Sequence, residues 1–233
     1  MPKVPTQVKK CLVVAKHDFY LNDALASLAD CEVETLVAKS TSEMNSLIQS
    51  HPDLDVIFFP HFSEIISEKI FNRFLCIGFH TGQLPKGRGG SPIQHQILEG
   101  DYRCPVSAIQ IVDSLDAGPI YLQKEIDLST GNIVEILARL SQIIASMISK
   151  LVTKVPAPKD QVGKSEVRKR IQGNDSRLVL ENLTNREIYD RIRMVDGLDY
   201  PPAYIEVGNV RLLLSCAEWE KDQIKFAARI ERQ

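Results

Sequence analysis

Four short runs rich in apolar residues recur through the first eighty residues of the 233-residue chain: CLVVA from Cys11, VETLV from Val33, DVIFFP from Asp55 and LCIGFH from Leu75. A strand wetted on one face alternates apolar with polar residues, whereas a strand covered on both faces does not need to. Between these runs, segments 21–28, 40–49 and 65–71 carry helical spacing. Strand and helix taken in turn predict an α/β fold, a Rossmann-like, mainly parallel sheet with helices on both faces. VSAIQIV from Val106 adds a strand. From Asn132 the period lengthens, with Ile133, Ile136, Leu137, Leu140, Ile143, Ile144, Met147 and Ile148 recurring at three- and four-residue steps and Asn132 and Glu135 placed as a capping box.

Prolines at 156 and 158 open a mixed-charge stretch, VPAPKDQVGKSEVRKR, that reads as a linker. Beyond it come a short helix from Thr184 and three strands, AYIEVG, VRLLLS and IKFAARI, the first two joined by the hairpin signal Gly208-Asn209. The expected organisation is a Rossmann-like catalytic domain over 1–155, then a linker and a small α+β tail domain over 156–233.

Composition narrows the function classes. With 44% apolar and 25% charged residues the chain can bury a core, which excludes intrinsic disorder. The formal net charge of -2 shows no basic excess, so no nucleic-acid partner is expected. No uninterrupted apolar run approaches the roughly 20 residues of a membrane span, and the apolar segment of MPKVPTQVKKCLVVA is short for a signal peptide. No membrane insertion and a cytoplasmic location are expected. Five cysteines, scattered and never spaced C-x-x-C, predict buried thiols in place of disulfides or a metal site.

The first strand is followed by AKHDFYLND, which has no glycine, so a dinucleotide pyrophosphate cannot approach the backbone there. The G-x-x-x-x-G-K-[ST] phosphate loop is also missing. Attention passes to TGQLPKGRGGSP, after LCIGFH, and to the ends of the strands. His80 closes LCIGFH and Asp116 lies just beyond VSAIQIV. An imidazole and a carboxylate converging from neighbouring strand ends suit acid/base work, although a strand-end histidine is also a common structural residue. Lys86, Arg88, Gly89, Gly90 and Ser91 form a cationic loop opening a helix, where anions bind, or a solvated surface loop. Phe62, Ser63 and Ile65 line a pocket or belong to the core. Tyr200 and Tyr204, around Pro201 and Pro202, stack a ring or dock the tail. Arg168, Lys169 and Arg170 grip a phosphate or are simply solvated.

The string FHTGQLPKGRGGSPIQHQILEG, followed by LDAGPIYLQKEIDL, resembles the N10-formyltetrahydrofolate-dependent formyltransferases, whose pattern is Asn-x-His-Pro-Ser-Leu-Leu-Pro, an Arg-Gly, a Pro, a helix ending in Gly and an Asp-x-Gly-Pro turn. Within the family, GRGGSPIQ and IRMVDGLDYPPAY are most similar to sugar N-formyltransferases. The resemblance implies transfer of a formyl group from N10-formyltetrahydrofolate to a nucleotide-linked (dTDP or UDP) amino sugar in cell-surface glycan synthesis. Methionyl-tRNA, glycinamide ribonucleotide and a catalytically impaired homologue are its alternatives. By position it makes His80 and Asp116 catalytic. It sets Phe62, Ser63, Ile65, Ile111 and Asp113 at the folate, and Lys86, Arg88, Gly89, Gly90, Ser91 and Tyr200 at the acceptor. The sequence departs from the pattern at Gly78, where the family's asparagine donates to the oxyanion. Gln94 is the expected replacement, ahead of Gln83 and His95. The apolar strand VRLLLS leaves a homodimer possible.

Overall fold

The structure is a computed structural model and describes residues 4–5, 7–197 and 200–232. It contains a six-stranded sheet in the order β2-β1-β3-β4-β6-β7. The strands are β1 (Lys10–Val14), β2 (Glu34–Ala38), β3 (Val56–Phe59), β4 (Leu75–Thr81), β6 (Arg103–Gln110) and β7 (Ile120–Asp127), with the two-residue β5 (Arg88–Gly89) outside the sheet. β2, β1, β3 and β4 are mutually parallel, and β6 runs antiparallel to β4. Val56, Ile57, Phe58 and Phe59 are all buried, as are Cys11 to Val14, which accounts for the lack of alternation in their sequence. Helices α1 (Asp18–Leu28), α2 (Thr41–Ser50) and α3 (Glu68–Phe71) make the crossovers.

Helix α4 (Pro92–Leu98) follows the glycine-rich loop, and α5 (Ile133–Thr153) is the long helix. At the start of α5 the backbone N–H of Glu135 donates to Asn132 Oδ1 and that of Asn132 to Glu135 Oε2, each at 3.0 Å, the reciprocal cap expected from the spacing. Alone among the described helices, α5 is long and apolar enough to cross a membrane by length and composition, which modifies the reading from uninterrupted runs. Its Ile136, Leu137, Leu140, Ile144, Met147, Ile148 and Leu151 are buried inside the protein, as a core helix requires.

The chain divides into two compact units that no linear boundary can express. One comprises 1–88, 105–126 and 138–167; the other comprises 89–104, 127–137 and 168–233. In the second unit, α6 (Asn185–Arg193) begins on a Thr184/Glu187 capping box, and β9 (Ala203–Val207), β10 (Val210–Glu220) and β11 (Gln223–Arg232) form an antiparallel sheet. Val207 pairs with Val210 across Gly208, whose φ of 60° suits the first position of a two-residue hairpin turn.

The second unit is organised around an ion pair that hydrophobic patterning cannot reveal. Arg193 is 1% exposed and donates to Asp190 Oδ1 at 2.6 Å, to the Leu128 carbonyl at 2.7 Å and to the Gly131 carbonyl at 2.8 Å. Asp190 Oδ2 accepts from the Tyr102 hydroxyl at 2.5 Å and from Arg186 Nε at 2.9 Å. Removing one partner of such a pair leaves an uncompensated buried charge, so Arg193→Met is expected to lower unfolding stability by about 3 kcal/mol in a denaturant titration.

All five cysteines are free. Burial pushes the Cys11 thiol up to about 11 and the Cys76 thiol up to about 12, which keeps both neutral as core groups.

Candidate active site

His80 is the sixth residue of β4, 5% exposed, and both of its ring nitrogens have neighbours. Nε2 lies 2.7 Å from the Gly87 carbonyl oxygen, which can only accept, so Nε2 carries a proton. Nδ1 lies 3.4 Å from Asp116 Oδ2. With Nε2 committed to the Gly87 carbonyl, Nδ1 is the ring nitrogen left to exchange a proton, and the Asp116 carboxyl group is its neighbour. His80 is buried, whereas Asp116 is partly exposed, so the pair is reachable from solvent on the carboxylate side.

The route by which Asp116 reaches His80 differs from the sequence expectation of two neighbouring strand ends. Because β6 is antiparallel to β4, Gln110 pairs with Ile77 and His80 with Ser107. The chain therefore leaves β6 at the end of β4 away from His80. It turns back through 113–118, where Gly118 sits so close to Gln110 that a Cβ would fall 1.8 Å from the Gln110 carbonyl oxygen. Asp116 itself has φ of 50°, in the left-handed region.

On β4, Gly78 and His80 are two residues apart and face the same side of the sheet. A Cβ at Gly78 would make ordinary contact with Ile111, at 3.5 and 3.7 Å. Ile111 and Phe62 are half-buried and rest on the apolar cluster of Leu12, Ile57, Phe59 and Cys76. Ser63 and Asp113 are exposed, and Ile65 is 96% exposed.

The glycine-rich loop packs against another segment of the chain. β5 pairs with β8 (Val167–Arg168), and the Gly90 N–H donates to the Arg168 carbonyl at 3.0 Å. A Cβ on Gly89 would lie 2.3 Å from the Arg168 carbonyl oxygen, and one on Gly90 would lie 2.7 Å from Arg170 Cβ. These glycines admit a neighbouring segment of this chain. Ser91 Oγ accepts from the Ile171 N–H at 3.0 Å, and Arg168 pairs with Glu99. Lys86 is exposed. The Arg88 guanidinium is engaged by Gln161 Oε1, at 3.1 Å from Nε and 2.7 Å from Nη2.

Gln94, the expected oxyanion donor, is held by a contact distant in sequence. It is fully buried in the second unit, and its Nε2 donates to the Met194 carbonyl at 3.1 Å. Tyr200 is half-buried, and Tyr204 lies under Arg211 with its carbonyl accepting from the Leu178 N–H at 2.8 Å. Leu198 and Asp199 of the motif IRMVDGLDYPPAY lie outside the described residues. His17 and His61, which have no ligand-like spacing, join Phe19 and Tyr20 in a ring cluster beyond β1 and β3. The residue that sequence reasoning missed is Gln161, hidden in the apparent linker. No motif marks it, because its role is set by contacts 45 and 73 residues away.

Residues 10–149 match the family model described as formyl transferase, and residues 174–231 match the one described as methionyl-tRNA formyltransferase, C-terminal domain. The methionyl-tRNA formyltransferase of Wolbachia pipientis is 29% identical over 209 residues, covering 84% of this chain and 65% of its own length. That of Bacillus subtilis is 29% identical over 180 residues, covering 74% of this chain. The chain thus spans 65% and 55% of the lengths of these curated relatives. A solved methionyl-tRNA formyltransferase from Clostridium thermocellum is 32% identical with a TM-score of 0.89, covering 97% of this chain and 100% of that one.

These findings overturn the expected acceptor. Relatives of this identity are methionyl-tRNA formyltransferases, and the tail, which resembled the sugar enzymes through YPPAY, matches the methionyl-tRNA family's C-terminal domain. The exclusion of a nucleic-acid partner falls with it. It rested on whole-chain charge, which says nothing about how a few groups at one site meet one acceptor end. With the two matched regions covering most of its length, the chain belongs to the formyl transferase family, whose co-substrate is N10-formyltetrahydrofolate.

Proposed function

We propose that the protein transfers the formyl group of N10-formyltetrahydrofolate to the α-amino group of methionyl-tRNA. The observation that carries this reading is the match of residues 174–231 to the C-terminal domain of methionyl-tRNA formyltransferases, supported by 32% identity over the whole of a solved protein of that name.

The folate, when bound, supplies an electrophilic formyl carbon. Phe62 and Ile111 offer its ring an apolar seat beside Gly78. His80 takes a proton from the attacking amine and sets positive charge beside the oxygen on which negative charge develops. Asp116 balances that charge and helps return the proton towards the departing nitrogen. The Gly87 carbonyl fixes the ring tautomer by holding the Nε2 proton, which leaves Nδ1 and Asp116 as the exchanging pair. The acceptor amine must be neutral to attack, so the reaction slows at low pH. The test is formylation of purified methionyl-tRNA by the full chain with N10-formyltetrahydrofolate, and absence of transfer would overturn the reading.

A further inference from the structure

We propose that Gln161 is a positioning residue that holds Asp116 over His80, a role that rests on reading His80 and Asp116 as the proton-transfer pair. Four contacts meet on its carboxamide. Nε2 donates to the Asp116 carbonyl at 2.7 Å and to the Gly118 carbonyl at 2.8 Å, while Oε1 accepts twice from Arg88. Both amide hydrogens and the amide oxygen are therefore engaged.

The loop has a physical need for such a tie. It leaves β6 beside Ile77 and must come back to His80; the Ile111 N–H bond to the Cys76 carbonyl, at 2.8 Å, and the Gln110 N–H bond to the Pro119 carbonyl, at 3.0 Å, close its base. Asp116 occupies the left-handed region, which residues with a Cβ adopt only when held. The Ala117 N–H donates to the Ser114 carbonyl at 3.2 Å, which closes the turn locally but does not orient it. Gln161 supplies an anchor at the turn itself, on the Asp116 and Gly118 carbonyls. Its own backbone is steadied by the reciprocal bonds between Ile120 and Lys159, at 2.8 and 2.9 Å. The Arg88 N–H donates to the Glu166 carbonyl at 3.1 Å, which fixes the other end.

Only a glutamine meets these demands from this position. Two carbonyls require two donors, and a guanidinium requires an acceptor. Glutamate keeps the acceptor and loses the donors, lysine does the reverse, and asparagine is one methylene shorter. The apparent linker is thereby part of the catalytic geometry, and Arg88 acts through Gln161 on the Asp116 turn.

The test uses Gln161→Glu and Gln161→Ala in the full chain, with steady-state kinetics on methionyl-tRNA, thermal unfolding and a crystal structure of each variant. Misplacement of a reacting group by about 1 Å can cost about 100-fold, so kcat is expected to fall about 10- to 100-fold with KM for methionyl-tRNA unchanged within about twofold. Gln161→Glu, which retains the Arg88 contact, should lose as much kcat as Gln161→Ala. The crystal structures should show Asp116 withdrawn from His80. Wild-type kcat in both variants, or a loss confined to KM, would overturn the inference. If the wild-type protein does not formylate methionyl-tRNA, the proposed function fails by itself. The crystal structures then decide alone: a His80–Asp116 separation kept at 3.4 Å in Gln161→Ala overturns the role of Gln161, and its opening supports it.

Discussion

His80→Ala is expected to lower kcat for formyl transfer by about 10²- to 10⁴-fold, the range that loss of a positioned acid/base group produces. Asp116→Asn is expected to fall in the same range for a separate reason. The asparagine amide can donate to Nδ1 and keep the ring in place, because Nε2 already gives its proton to the Gly87 carbonyl. It cannot take up or return a proton. The geometry would survive while the exchanging pair is lost, so KM for methionyl-tRNA should change little and thermal unfolding should be unaltered. Initial rates at saturating donor test both variants. Retention of more than about a tenth of wild-type kcat in either would remove that residue from the proton path.

Gly78→Asn should act in the opposite direction. Family members carry an asparagine two residues before the histidine, and the direction of β4 sends a side chain at 78 to the same side as His80. Gly78 has no left-handed φ, and a Cβ there would touch only Ile111, at ordinary van der Waals distance. The backbone can thus accept asparagine without strain. An added donor to a developing oxyanion is worth about 10²- to 10³-fold where it is preorganised, and an increase in kcat of at least about tenfold is expected. Gln94 already commits one amide hydrogen to the Met194 carbonyl. Unchanged or reduced kcat in Gly78→Asn would mean that another group occupies the donor position.

The comparison of sequence with structure divides along physical lines. The inner parallel strands β1 and β3 were legible because burial on both faces produces unbroken apolar runs, and α5 because its apolar stripe has the helical period and a visible cap. His80 and Asp116 were legible through the string around them, and they lie 3.4 Å apart. What remained hidden depends on contacts distant in sequence. Gly89 and Gly90 looked like a ligand cradle because glycine records only that something comes close, not what it is; the approaching group is the 168–170 segment. Gln94 looked free because nothing near it reveals the Met194 carbonyl 100 residues away. The antiparallel sense of β6 was also unreadable, and with it the need for a returning loop and for Gln161. The acceptor was not legible because a short tail motif carries less information than the tail as a whole, and because average charge is not a property of one surface.

The most direct test of the account is formyl transfer to methionyl-tRNA by the purified full chain, followed by the mass of the aminoacyl group. The account predicts a gain of one formyl group that depends on N10-formyltetrahydrofolate and is lost in His80→Ala. Methionyl-tRNA left unmodified at saturating donor, with a folded protein and intact acceptor, would contradict it.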